Sequence, residues 1–310
     1  MKNPGWAAFV LLSLVATTDA PAQVLPFFTN TALTVGFESN AVRTFSRFVF
    51  RNKLETEGRE VPDSLDRDVF AFVQVFAVPL RINSETVFTV IAPVVHKELN
   101  LTPPGLARRQ LSGSDLGDVT LLIKRRFYVN NFLGGGFQAA IIGGLKLPTG
   151  SDQGRDSLGN LLPRPLQIGT GSLDVPVGLV FTAFKDRIGF NSEILHKFTT
   201  QSKGFEFGDE TDLNLALGYR LTPKSYQSIN DKVLNAYLEI NTVFSGRSSF
   251  NSQVVSDSGG TVVFLTPGIQ WVLSPRFLIE SAFQIPITQE LNGTQLAFTA
   301  TANVGIRMLF

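Results

Sequence analysis

The residues of this chain that could do chemistry are charges placed at alternate positions within apolar stretches. Taking every second residue along each stretch gathers Arg47, Arg51, Lys53, Lys124, Arg126, Lys146, Lys197, Arg220 and Arg307 with Asp118, Asp174, Glu193, Asp212, Glu239 and Glu280, nine cations against six anions. On a strand such residues share one face, because successive side chains point to opposite sides. Charged rings around a passage select what permeates. The excess of cations therefore predicts a narrow basic lumen favouring anions or carboxylate-bearing solutes. The competing reading of the same residues is an internal ion-pair network that fills the lumen. Arg47 and Arg51 fall on the first strong strand and Arg307 on the last, so closure of the sheet would bring three guanidinium groups onto one wall.

Other chemistry finds little support. The chain has 2 His, His96 and His196. His196 shares a face with Ser192, but four residues of strand span about 13 Å, too far for a nucleophile and its base. A lipid hydrolase acting through His196 is thus the weakest function class. Glu206, Asp209, Glu210 and Asp212 offer oxygens to a hard cation, and a solvated loop is the plainer reading. Without Cys the chain has no disulfide framework, no thiolate chemistry and no Cys metal site. No phosphate-cradling loop, nucleotide fingerprint or zinc spacing appears. No catalytic residue, metal or cofactor is predicted, and a net charge of +1 gives no argument for a nucleic-acid partner.

The elements that must position these charges are strands. From Leu296 to Phe310 the even positions are all apolar and the odd ones mostly polar or small. Alternation of this length exceeds the usual strand of about 5 or 6 residues and suits a tilted strand of about 9 to 11 residues crossing a membrane. Eleven further segments behave similarly: Arg43–Lys53, Asp68–Leu80, Glu85–Lys97, Gly117–Tyr128, Phe132–Leu147, Gly171–Phe184, Arg187–Thr199, Thr211–Leu221, Val233–Ser245, Thr261–Leu273 and Phe277–Thr288. Asp68–Leu80 and Glu85–Lys97 are apolar on both faces, which predicts a partly dry lumen. Short links (Arg81–Ser84, Val129–Asn131, Lys185–Asp186, Ser274–Arg276, with Thr222–Lys232 a longer exception) alternate with long ones (Leu54–Arg67, Glu98–Leu116, Pro148–Thr170, Gly246–Gly260). That is the rhythm of periplasmic turns and extracellular loops. The fold class predicted is all-β, a closed antiparallel transmembrane barrel of about 12 strands, in the bacterial outer membrane and in contact with its lipid.

Residues 1–22 read as a signal peptide: Lys2, an apolar run from Trp6 to Ala16, and small residues Ala20 and Ala22 before a cleavage point. Residues 23–42 read as a periplasmic lead-in or plug, in which Ala32–Glu38 alternates only weakly, and 43–310 as the barrel. The 27 Phe predict interfacial girdles, with Phe205, Phe207 and Phe250 at loop tips where they could meet apolar solutes. The terminal aromatic Phe310 resembles the C-terminal signal of outer-membrane barrels, which implies the barrel-assembly machinery as a partner.

One hairpin carries a more specific likeness. Lys146-Leu147-Pro148-Thr149-Gly150 closes one strand, and Gly169-Thr170-Gly171-Ser172-Leu173-Asp174 opens the next. This pair resembles the outer-membrane barrel family named for the MetA-pathway of phenol degradation. The resemblance implies a transporter admitting small solutes, aromatic or hydrophobic compounds among them. The alternative is a non-conducting structural or surface-binding barrel acting through Glu98–Leu116 and Pro148–Thr170.

Overall fold

A computed structural model describes residues 25–33, 40–228 and 230–310. Residues 1–22, read as a signal, and most of Ala32–Glu38 lie outside the described residues. Twelve antiparallel strands close into a barrel: β1 (Ala41–Arg51), β2 (Asp68–Arg81), β3 (Thr86–Leu101), β4 (Thr120–Phe132), β5 (Gly135–Lys146), β6 (Val175–Lys185), β7 (Ile188–Phe198), β8 (Glu210–Thr222), β9 (Val233–Ser245), β10 (Gly260–Ser274), β11 (Phe277–Leu291) and β12 (Ala300–Leu309). Each pairs with its chain neighbours, and β1 pairs with β12 from Ala41 opposite Leu309 to Phe50 opposite Ala300. Closure satisfies every ladder position that an open sheet would leave bare, as hydrocarbon demands.

Parity sorts the two faces as the alternation predicts. Leu213, Leu215, Leu217, Phe283, Ile285 and Ile287 are exposed on the outside, whereas Asn191, Glu193, Glu239, Thr266, Gln270 and Glu280 are buried inside. This inverts a soluble core and matches a wall with lipid outside and polar groups within. The inner faces of β2 and β3 are the exception. There Val73, Val75, Ile91 and Val95 leave one sector of the lumen apolar.

Three segments depart from the sequence reading. Glu98–Leu116 is not a plain loop, because β3 runs on to Leu101 and Arg109–Leu116 returns beside it. That return is mostly exposed, so it carries no apolar period to betray a strand. The turn expected at Val129–Asn131 falls at Leu133–Gly134, since β4 passes through a register shift between Arg126 and Tyr128 and continues to Phe132. The terminal stretch is broken. Thr294–Ala297 pairs with Lys53–Thr56 in a small separate sheet, and β12 starts only at Ala300. At the break the Gln289 side chain accepts from the Phe298 amide at 2.8 Å and donates to its carbonyl at 2.9 Å. Phe298 turns inward against Phe264 and Arg51 instead of facing lipid.

Inside the wall Tyr237 lies across Gly268, where an added Cβ would come within 2.2 Å of the ring. Gly143, also within a strand, has nothing within 4 Å of such an atom. Gly268→Ala should therefore destabilise the barrel by about 1–3 kcal/mol through overpacking, and Gly143→Ala should be close to neutral. The temperature at which the folded band is lost in heat-modifiability gels checks the pair.

Candidate permeation path

The lumen is occupied. Residues 25–33 run through it without regular secondary structure, held by side chains of the wall. The backbone N–H groups of Phe27, Phe28 and Thr29 all donate to the Glu239 carboxylate, at 2.7, 3.2 and 2.8 Å, and the Thr29 hydroxyl adds a fourth bond at 2.7 Å. Successive N–H groups converging on an anion form a nest. Asn30 donates to Glu193 from its backbone at 3.0 Å and its side chain at 2.6 Å, and the Ala32 amide donates to Thr182 at 2.8 Å. The carbonyls are met by cations and an amide. Arg43 donates to Phe27 at 2.9 Å, Lys124 to Thr31 and Leu33 at 2.7 and 2.6 Å, and Gln270 to Leu25 at 3.1 Å. Phe27 packs edge-on to Phe45 and against Tyr237 and Ala282, and Ala32 is enclosed with Ala140, Ile142 and Val180. An irregular segment can be buried here because its backbone groups are partnered.

The predicted charges divide by what they touch. Arg307 joins Glu280 at 3.3 Å, as does Arg43 at 2.6 Å. Arg43 is the member that parity counting missed. Arg47 lies over the Phe28 ring and donates to Asn303, and Arg51 lies 3.7 Å from the Phe298 ring centroid. Arg47, Arg51 and Arg307 thus line neighbouring strands but do not share one anion. Arg126 donates to Gln138 and the Ser84 carbonyl, and Arg220 is buried near the periplasmic end of β8 over Tyr226. Lys53 stands apart from the lumen set, half-exposed at the rim and paired with Glu60. Uncharged groups that a search for charges passes over tie the wall together: Asn241 donates to Asn214, Thr266 to Asn241, and Asn235 to Gln270.

Above the plug a cavity of about 390 Å³ opens among the mouth loops, with Pro93, Val95, Ile168 and Phe207 on its apolar side. Its polar side holds Lys146, bonded to Asp118 at 3.0 Å and Asp174 at 2.7 Å, and Lys197, bonded to Glu210 at 2.8 Å. The hairpin motif folds around Asp118. This carboxylate accepts from the Gly150 and Thr170 amides, the Thr170 hydroxyl and Lys146. Gly150 and Gly169 touch backbone to backbone, and a Cβ on Gly169 would lie 2.2 Å from the Gly150 carbonyl oxygen. Thr149 donates to the Gly117 carbonyl and accepts from the Val119 amide, sealing the gap between Leu116 and Thr120. The acidic stretch disperses: Asp209 accepts from Thr199, and Glu210 pairs with Lys197. His196 bonds Thr211 through Nδ1 and rests against Phe198.

Residues 64–298 match the family described as "Putative MetA-pathway of phenol degradation". No curated protein matches the sequence. Among solved structures, the COG4313 outer membrane channel from Pseudomonas putida F1 superposes with a TM-score of 0.70 at 10% identity, covering 90% of this chain and 98% of that one. A Pseudomonas aeruginosa FadL homologue (TM-score 0.40, 8% identity, 87% and 90% covered) and the CymD monoaromatic hydrocarbon channel (0.37, 8%, 88% and 89%) overlap too loosely to carry an argument. The matched range encloses the knot around Asp118. Asp118→Ala should release the loop and speed tryptic cleavage after Arg155, which is exposed but held in the folded loop, at least about tenfold if the lost charged hydrogen bonds cost about 1.5 kcal/mol or more. Limited proteolysis of the folded barrel checks this against unchanged heat modifiability.

Proposed function

The chain belongs to the family described by that MetA-pathway model, an outer-membrane β-barrel family, and on that premise we propose that it is a channel admitting small aromatic or hydrophobic solutes through a lumen that residues 25–33 close. The observation that carries the reading is the way this segment is held. It is bonded to side chains on several strands and joins no ladder, so water or a solute can take over its contacts one by one without opening the wall. The path runs from the mouth cavity along the apolar inner faces of β2 and β3, past Arg47, Arg51 and Lys146, to the level of Lys124, Glu193, Glu239, Glu280 and Arg307, and leaves beside Arg126 and Arg220. An apolar sector beside a polar one suits a ring that carries a polar substituent. The name of the similar Pseudomonas putida protein, an outer membrane channel, supports the same reading.

The basic lumen expected from the count of charges is narrowed in this proposal, since Glu280 offsets one of the two guanidinium charges beside it and the mouth lysines are paired with carboxylates. A permanently filled, non-conducting barrel is the alternative that the many plug contacts favour, and one variant decides between them. Glu239→Gln removes the charge and turns an amide N–H₂ toward the plug's donors. Losing charge-assisted bonds of about 1.5–3 kcal/mol should raise the open fraction about tenfold or more. Planar-bilayer recordings should show wild-type openings that are rare and brief, and variant openings of the same size that are frequent. Absence of current and of solute flux in both proteins would remove the channel reading.

A further inference from the structure

The plug lies between two walls of opposite chemistry. Its N–H groups point to acceptors on β6, β7 and β9, and the carbonyls of Phe27, Thr31 and Leu33 meet cations on β1 and β4. The wall groups sort the same way once ion pairs are set aside. Among the described residues, Glu193, Asp212 and Glu239 have no Lys or Arg within ion-pair distance, and Arg47, Arg51 and Lys124 have no carboxylate within it, whereas Arg43, Arg307, Lys146 and Lys197 are each paired. The three unpaired acids stand on β7, β8 and β9. Arg47, Arg51 and Lys124 stand on β1 and β4, across a barrel of twelve strands, and Lys97 on β3, bonded among the described residues only to the Pro165 and Gln167 carbonyls, adds a further cation beside β1 and β4. Arg47 and Asp212 are near enough for their charges to interact, as are Lys124 and Glu193. Arg126 extends the cationic wall toward the periplasm. Arg220, a partnered cation over Tyr226, lies on the acidic side, eight positions below Asp212 at the end of β8.

We infer that the lumen vacated by the plug is a site for small bipolar solutes, molecules with a cationic or hydrogen-bond-donating group at one end and a carboxylate at the other. The inference rests on the channel reading and names its substrate class. The plug is then a stand-in for the permeant, since a peptide presents donors on one edge and acceptors on the other. Two unpaired walls produce a transverse field, in which a solute with both charges finds both partners. A solute with one charge leaves the opposite wall unpaired and meets like charge if it turns over.

Three probes share one ring and differ in charge: phenylalanine, 3-phenylpropionate and phenethylamine. Uptake of each into proteoliposomes bearing the full chain gives ratios in which folding yield and plug opening cancel. For the wild type, phenylalanine should enter about tenfold faster than either single-charge probe, a preference equivalent to one well-placed charge contact. Arg47→Gln combined with Arg51→Gln should lower the phenylalanine to phenethylamine ratio about tenfold, and Asp212→Asn should lower the phenylalanine to phenylpropionate ratio similarly. Equal uptake of the three probes by the wild type overturns the inference and leaves the channel standing, as do ratios unmoved by both substitutions. Uptake of none overturns both.

Discussion

A carboxylate withdrawn from bulk water needs hydrogen-bond donors, and Glu239, fully enclosed, takes its donors from a segment that is not part of the wall. Three consecutive amides and a hydroxyl from residues 27–29 satisfy it. The dependence runs both ways, because those amides have no ladder to join. The shape of the closed lumen follows from this exchange. Asn30 then falls against Glu193, the following carbonyls fall against Lys124, and Phe27 and Ala32 fill the two apolar recesses.

The wall makes such an arrangement possible because lipid lies outside it. A soluble barrel would spend its inner face on apolar packing, whereas this one places apolar side chains outward and keeps the inner face for asparagine, glutamine, threonine and paired charges. Most of the charges are used structurally. Glu280 joins β11 to β1 and β12 through Arg43 and Arg307, and Asp118 and Asp174 tie the mouth loop down through Lys146. What remains unpaired is segregated by wall, and the plug backbone spans the difference.

Much of the wall was legible from residue types alone, since a period of two assigns faces without knowledge of the fold. It placed Glu193, Glu239, Glu280 and Arg307 inside together, and Val233–Ser245 emerged with its ends unchanged. The reading failed where the local signal is absent. Arg109–Leu116 is mostly exposed and has no apolar period, and Phe298 sits at a break that reverses its facing. Arg43 lies near the start of its strand, where parity does not separate rim from lumen. The plug was the least legible part. Leu25–Leu33 has no periodicity, and its conformation comes from partners as far as 212 residues along the chain. Nothing in the residue types of 23–42 points to Glu239 as the anchor of Phe27–Thr29. The hairpin motif was recognisable as a likeness before its role in folding around Asp118 could be seen.

On the channel reading, residues 25–33 must move for anything to pass. The chain has no cysteine, so a single engineered pair can be formed and broken cleanly. Ala32 and Ala140 are enclosed in the same cluster, and Ala32→Cys with Ala140→Cys would tether the plug to β5. Bilayer current and solute uptake measured on one preparation, oxidised and then reduced, give the most direct test. Loss of both on oxidation and their return on reduction is the predicted result; equal current and uptake in the two states would contradict it.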